Sequence, residues 1–494
     1  MSDALALGEP RDHLGPPERL HPLYLLTGLG QSLKGAWGML ALGALFASQG
    51  KWWTLILMAV LFGFFSIGAL YFRWLKLEFR VGADEIRIDS GFLNRTSRAI
   101  PFDRVTDVDL EQGPVQRLFG LARVKLETGA SAGGKEEEGV LHTISLARAE
   151  ALREHIKVRR GVAAAALPAA SAAEEPALYA MNSRRVLTAG LFNFSLAVIA
   201  GLFGVTQTMG DALGFDPFKP QFWTDLLNQS ASLQALAMAH QLVAIIGGSL
   251  LLIMLGIGTG LIRTTLREHG FRLDRTETGF RRRRGLLTLT DVTIPAKRAQ
   301  AAILANGPVR QAFGWWVLKL QSLAQDGGKG DHVVAPLARE DEAAAILGSL
   351  SWPIAPASAR WRPVARAYFT SFIGILGPAA LLTLAGLPFL GPIAVLWLAG
   401  AALAILMRWL DWRRTRYALD GGSLFVETGW WRHRRNIVPT RKIQSVDLSE
   451  SWWSRLFGIC TLRLGVAGGS GFSDHRVPAL SRAEAEALRA ELLA

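Results

Sequence analysis

The chain has 494 residues, half of them hydrophobic, with a mean hydropathy of +0.24, which is high for a soluble protein. It also carries 54 Lys and Arg against 41 Asp and Glu, a net charge of +13, so apolar and basic parts must be segregated along it. A single cysteine, Cys460, excludes an intramolecular disulfide and any zinc site with paired cysteines, and reads as a buried structural thiol.

Residues 1–32 form a polar N-terminal segment holding Pro10, Pro16 and Pro17, without the basic-then-apolar start of a secretory signal. Residues 33–72 read as a first pair of membrane spans broken at Gln49, Gly50 and Lys51. The second member is uncharged from Thr54 to Phe72. The first is short, with Lys34 placed to snorkel and Trp52 and Trp53 suited to the opposite interface. A β-rich module follows over 77–156, then an Ala/Pro-rich linker over 157–177. A second span pair is expected over 186–262, enclosing a polar loop at 211–235, followed by a second module over 269–350. A third pair over 364–407 contains Gly377-Pro378, Pro388 and Pro392, which should bend it. A third module over 416–493 closes the chain.

The modules are copies of one another. Gly91, Pro101 and Phe119-Gly120 recur as Gly285, Pro295 and Phe313-Gly314, and again as Gly429, Pro439 and Phe457-Gly458, without a gap. Alternation at Val124 and Leu126, Leu318 and Leu320, and Leu462 and Leu464 marks half-buried strands. Gly-rich stretches of unequal length mark hairpin tips. Each copy ends in a short amphipathic helix whose core-facing pairs are Leu152/Ile156, Ile346/Leu350 and Leu488/Leu492. Ser481 and Glu484 form a capping box. The exact spacing also predicts that Phe119, Phe313 and Phe457 are equivalent core residues.

Span pairs cross and return, so all three modules lie on one side. The basic residues Arg73, Lys76, Arg184, Arg185, Arg263, Arg267, Arg360, Arg362, Arg366, Arg408, Arg413 and Arg414 flank the spans on that side. The opposite loop holds Asp211, Asp216 and Asp225 against Lys219. The positive-inside rule then places the modules and both termini in the cytoplasm, with the chain in the inner membrane.

RLHPLYLL at Arg19–Leu26, two spans, and strands bearing IPFDRV with QRLFG, IPAKRA with RQAFG, and VPTRKI with SRLFG resemble the bacterial membrane-flanked, YdbS-like PH domain family over nearly the whole chain. The second copy departs most, with Gln311 and Ala312 where the others have Arg-Leu, and two extra residues before its glycine. The apolar segments themselves read as an integral membrane α-helical protein with six spans in three pairs, and the resemblance implies a PH-like fold for the modules that follow them. The modules are then three β-rich PH-like domains, each of two packed antiparallel sheets closed by a C-terminal helix.

No Walker loop, HExxH or GxSxG is present. GIGTG at Gly256–Gly260 lies in a span and reads as a helix-packing motif. Asp331-His332 and Asp474-His475 read as polar turns. No catalytic residue, metal site or cofactor is expected. No Asp, Glu, Lys or Arg lies mid-span, which counts against ion-coupled transport. The candidate membrane-surface contacts are Arg95, Arg98, Arg281, Arg282, Arg283, Arg284, Trp430, Trp431, Arg432, Arg434 and Arg435, because basic residues beside an anionic leaflet are attracted to it. The expected function is non-enzymatic: modules that bind anionic lipid headgroups or a membrane protein partner as a scaffold, and not nucleic acid. The alternative is a transporter or lipid-handling enzyme whose modules regulate it.

Overall fold

The computed structural model describes residues 14–35, 52–91, 96–128, 139–159, 176–194, 241–326, 329–355, 361–387, 391–468 and 475–493. One unit is used three times. The first runs β1 (Glu18–Arg19), α1 (Tyr24–Gly35), α2 (Trp52–Lys76), β2 (Glu78–Val81), β3 (Glu85–Ser90), β4 (Thr96–Pro101), β5 (Val105–Gln112), α3 (Pro114–Leu118), β6 (Leu121–Thr128), β7 (Val140–Ser145) and α4 (Leu146–Arg159). The second runs β8 (Tyr179–Ala180), α5 (Ser183–Leu191), α6 (Gln241–Glu268), β9 (Arg272–Thr276), β10 (Gly279–Arg284), β11 (Leu289–Pro295), β12 (Ala299–Asn306), α7 (Pro308–Ala312), β13 (Trp316–Asp326), β14 (Lys329–Ala338) and α8 (Glu340–Gly348). The third runs β15 (Arg362–Pro363), α9 (Ala367–Ala385), α10 (Pro392–Arg414), β16 (Arg416–Asp420), β17 (Ser423–Thr428), β18 (His433–Pro439), β19 (Ile443–Ser449), α11 (Trp452–Leu456), β20 (Ile459–Val466), β21 (His475–Ser481) and α12 (Arg482–Leu493).

Among the described residues, four helices are long and apolar enough to cross a membrane: Ile56–Lys76, Ser249–Glu268, Ala367–Ala385 and Ala394–Arg414. The other two expected spans, 33–48 and 186–209, lie mostly outside the described residues. Where the latter is described, Val186 and Ala189 are buried on α5 in the core of the second module. Close approach there depends on small residues. A Cβ on Gly260 would sit 2.0 Å from the Asn193 carbonyl oxygen, and one on Gly256 would strike the Phe194 ring, so GIGTG packs a helix as its spacing predicts.

The strands form four antiparallel sheets, in the orders β1-β2-β3-β4, β7-β6-β5-β11-β10-β9-β8, β14-β13-β12-β18-β17-β16-β15 and β19-β20-β21. The resemblance implies two sheets closed within each module. Instead, the last three strands of one module join edge to edge with the first four of the next. The apolar core follows them: Ala418, Phe425 and Ile437 of the third unit belong to the same buried cluster as Leu304 and Leu320 of the second. Equivalent positions lie 194 residues apart in the first and second units (Gly91 and Gly285) and 144 apart in the second and third (Gly285 and Gly429). Carried through those offsets, the two junctions have one register: Gln112 faces Leu289 as Asn306 faces His433.

The terminal helices follow their sequence pattern. Leu152, Ile156, Ile346, Leu488 and Leu492 are buried, Leu350 packs partly buried just past α8, and Ser481 and Glu484 cap α12 reciprocally. Cys460 is buried in the third core, with its thiol directed at the Leu480 carbonyl. Two expectations fail. His332 and His475 are buried strand residues and not turn residues, the His475 Nε2 lying 2.5 Å from Gln321 Oε1 of the preceding unit. Phe119 and Phe313 are 54% and 60% exposed, and Phe457 is only partly buried. The repeated Phe-Gly therefore serves something other than the core.

A candidate membrane-facing surface at the feet of the spans

Three elements recur where the long helices leave their modules. The first is a clasp. Each unit begins with a two-residue strand ahead of its span region, and that strand pairs with the strand that follows it. Arg19 faces Glu78, Ala180 faces Arg272, and Pro363 faces Arg416. The next residue, Leu20, Met181 or Val364, is buried in each case. Trp74 Nε1 donates to the Leu20 carbonyl at 2.9 Å, and Trp412 Nε1 to the Val364 carbonyl at 3.2 Å. One sheet thus grips the chain on both sides of each span region and holds the module to the span ends. Two residues are too few to show a period, so the clasp escapes sequence reading.

The second element is the hairpin tip after the first landmark glycine. Gly285 and Gly429 have φ of 119° and 84°, and a Cβ on either would strike the carbonyl oxygen three residues on, Thr288 at 1.9 Å and Arg432 at 2.3 Å. The turn that only glycine permits is followed by Leu286-Leu287 and Trp430-Trp431, and Phe92-Leu93 stands at the same place in the first unit's sequence. Leu287 and Trp431 are exposed. The Leu286 N–H donates to the Leu266 carbonyl on α6, and the Trp430 N–H to Asp411 on α10, which ties both tips to span ends.

The third element is the one-turn helix that ends in Phe-Gly. Gly120, Gly314 and Gly458 close it at φ of 62°, 70° and 63°, the left-handed cap. Its apolar side chains face outward: Leu118 and Phe119 on α3, Val309 and Phe313 on α7, Trp452 and Leu456 on α11, with Leu118 80% and Trp452 72% exposed. The second and third sit beside a span foot. Phe313 packs 5.7 Å from Phe192, Arg310 donates to Asn193 at 2.6 Å, and Trp453 Nε1 donates to the Ser371 carbonyl on α9. The first meets the hairpin tip of the next unit, Arg117 donating to the Leu286 carbonyl at 2.7 Å. Exposed apolar side chains gathered on one short element make it a candidate interaction surface. The signal was visible in the sequence as apolar residues around both landmark glycines.

Beside the second tip lies a cleft of about 620 Å³ lined by Thr259, Ile262, Arg263, Leu266, Arg267, Arg284, Leu287, Thr288 and Thr290. Guanidinium groups and hydroxyls stand there against the apolar flank of a span, with Arg284 and Arg267 both paired to Glu268 at 2.9 and 3.3 Å. Among the described residues, no group of three His, Cys, Asp or Glu is placed to hold a metal ion.

The basic residues singled out by sequence divide. Arg432 and Arg434 are exposed near Trp431, and Arg98 lies on the exposed part of β4. Arg95 lies outside the described residues. The run Arg281–Arg284 does not act as one patch. Arg282 is fully buried and donates to the Val333 carbonyl, Arg284 is buried against Glu268 at 2.9 Å, and Arg281 grips Asp291 at 2.5 Å. Arg283 is half exposed, 3.7 Å from Asp291. Arg435 is held by Glu427 and Glu340, each at 2.7 Å, over the Trp316 ring. Burial pushes the Asp291 carboxyl up, but the Arg281 hydrogen bond and the charges of Arg153, Arg281 and Arg283 outweigh it and hold the group below the usual carboxylate range.

The sequence profile described as bacterial PH domain matches residues 25–160, 231–352 and 372–494. The chain is similar to the UPF0699 transmembrane protein YdbT of Bacillus subtilis (strain 168), with 26% identity over 336 residues, 65% of this chain and 64% of the relative. It therefore spans just under two thirds of that relative's length. No solved structure matches.

Proposed function

The chain belongs to the bacterial PH domain family, and from that premise we propose that it is a non-enzymatic scaffold of the cytoplasmic membrane whose modules bind anionic lipid headgroups. The observation that carries this reading is the band of exposed Leu, Phe, Val and Trp side chains on the one-turn helices and hairpin tips, placed beside the feet of the spans. Apolar rings and aliphatic chains enter the headgroup layer there, while Arg263, Arg267, Arg432 and Arg434 contact its anionic groups. The clasps hold the membrane-proximal ends of the modules within a Debye length of the leaflet, about 8 Å at physiological salt. Both termini and all modules lie on the cytoplasmic side.

The test uses the full chain in lipid nanodiscs with Cys460→Ser. A fluorophore on Leu456→Cys should be quenched by lipids spin-labelled near the headgroup. One on Arg441→Cys, at the far end of the roughly 20 Å strand β18, should not be. Arg263→Gln with Arg267→Gln should lower the phosphatidylglycerol that copurifies. Equal quenching at the two sites would remove the surface-contact reading. For orientation, a cysteine at Gln229 should react with an impermeant reagent in intact cells while Arg441→Cys stays silent; the opposite pattern would reverse the topology.

A further inference from the structure

Two strands at the ends of the tandem lack the neighbour that their equivalents have. In the second and third units, β11 and β18 are covered by β5 and β12 of the preceding unit. Their counterpart in the first unit, β4, is the outermost strand of its sheet among the described residues. Conversely, β5 and β12 cover the next unit, and their counterpart β19 is outermost in the last sheet. The two edges are of opposite kind, and each is the half of a junction that the chain already makes twice.

We infer that β19 of one copy pairs with β4 of a second copy, so that chains assemble head to tail through the junction that joins their own modules. The register is set in advance. Both internal junctions obey it, and the same offsets place Val446 opposite Ala99, Asp447 opposite Arg98, Leu448 opposite Ser97 and Ser449 opposite Thr96. Asp447 therefore faces Arg98 across the new contact, an attractive cross-strand pair. A two-fold pair of β4 edges centred on Arg98, or of β19 edges centred on Asp447, would face like charges, whereas the heterologous register faces opposite ones. Burial points the same way. Thr96, Ser97, Arg98 and Ala99 are exposed, whereas Ile437, the equivalent of Ala99 in a covered strand, is fully buried. Leu448 is only partly buried, whereas its equivalent Leu304 is fully buried. The contact is heterologous, and a heterologous contact propagates until it closes. Because every unit carries spans into one bilayer, propagation is confined to the membrane plane and builds rings or arcs, not fibres rising from it.

The experiment uses full-length protein in native membranes with Cys460→Ser. Two differently tagged forms are coexpressed, one carrying Thr96→Cys and the other Ser449→Cys, and oxidised with copper phenanthroline. These positions face each other with Cβ atoms about 5 Å apart, within reach of a disulfide. The expected product is a covalent dimer holding both tags, absent when either form is expressed alone and absent for Ala99→Cys with Ser449→Cys, which is out of register. Arg98→Asp in the first form should lower the yield roughly fivefold, and Asp447→Arg in the second should restore it. Homotypic dimers, mixed dimers no stronger than the out-of-register pair, or capture of some other protein at these cysteines would each overturn head-to-tail pairing. The residues substituted here are not those substituted in the lipid test, so failure of one experiment leaves the other reading intact.

Discussion

The two strand junctions inside the chain share a backbone and invert their charges. At one register position the first junction carries Asp291 opposite Leu110, and the second carries Arg435 opposite Leu304. The preceding unit answers each in kind: Arg153 from α4 reaches Asp291 at 3.3 Å, and Glu340 from α8 reaches Arg435 at 2.7 Å. The neighbouring strand is inverted too, with Arg283 opposite Asp291 and Glu427 opposite Arg435. Hydrogen bonding along the edge fixes the geometry of a junction but cannot tell one module from another. Charge does that, because a misordered pairing would set Arg153 against Arg435.

The sharpest way to break this comparison is Asp291→Ala, which removes the carboxylate that pairs with buried Arg153 and hydrogen-bonds Arg281. A loss of about 3–5 kcal/mol is expected, read as a drop in thermal stability and faster hydrogen exchange in β5 and β11. Arg435→Ala should cost less, about 1–3 kcal/mol, because Glu427 keeps Arg416 at 2.6 Å. If the second loss exceeded the first, charge at the two junctions would not be ranked by the partners each group retains.

Acidification should separate the junctions without mutation. His433, buried at the second, lies 3.3 Å from Asn306 and 5.4 Å from the Trp316 ring. Burial is the main cause holding it below the ordinary histidine value; the charges of Arg435, Arg414 and Arg416 act the same way and Glu427 opposes them. A depressed histidine contributes stability above the unfolded value of about 6.5 and loses it as pH falls from there towards its folded value. Asp291 is also depressed, but its contribution is lost only as pH falls below about 4. Hydrogen exchange in β12 and β18 should therefore accelerate between pH 7.5 and 5.5 while β5 and β11 hold steady. His433→Gln should flatten the difference.

The smallest expected effect is at the repeated Phe. Phe119→Ala should change folding stability by no more than about 0.5 kcal/mol, as for an exposed site, where a core site would lose about 3–5 kcal/mol. A core-sized loss would return the residue to the interior.

Phe119 shows why the sequence was legible in one respect and misleading in another. An ungapped landmark shows that a backbone feature recurs, here a glycine-capped turn of helix, but it says nothing of which of its side chains are buried and which are exposed. The run Arg281–Arg284 misleads in the same way: four adjacent cations look like one surface, yet on a strand alternate side chains point to opposite faces, and Arg282 and Arg284 turn inward.

Composition and local period alone determined the threefold repeat, the apolar helices, the terminal amphipathic helices, the capping box and the buried thiol, because each depends on residues a few positions apart. Tertiary structure decided the clasps that grip each span region, the sharing of sheets between modules and the partners of the buried arginines. Those depend on strand edges and charges brought together from positions as distant as Leu110 and Asp291, and every strand edge offers the same N–H and C=O groups whatever its sequence.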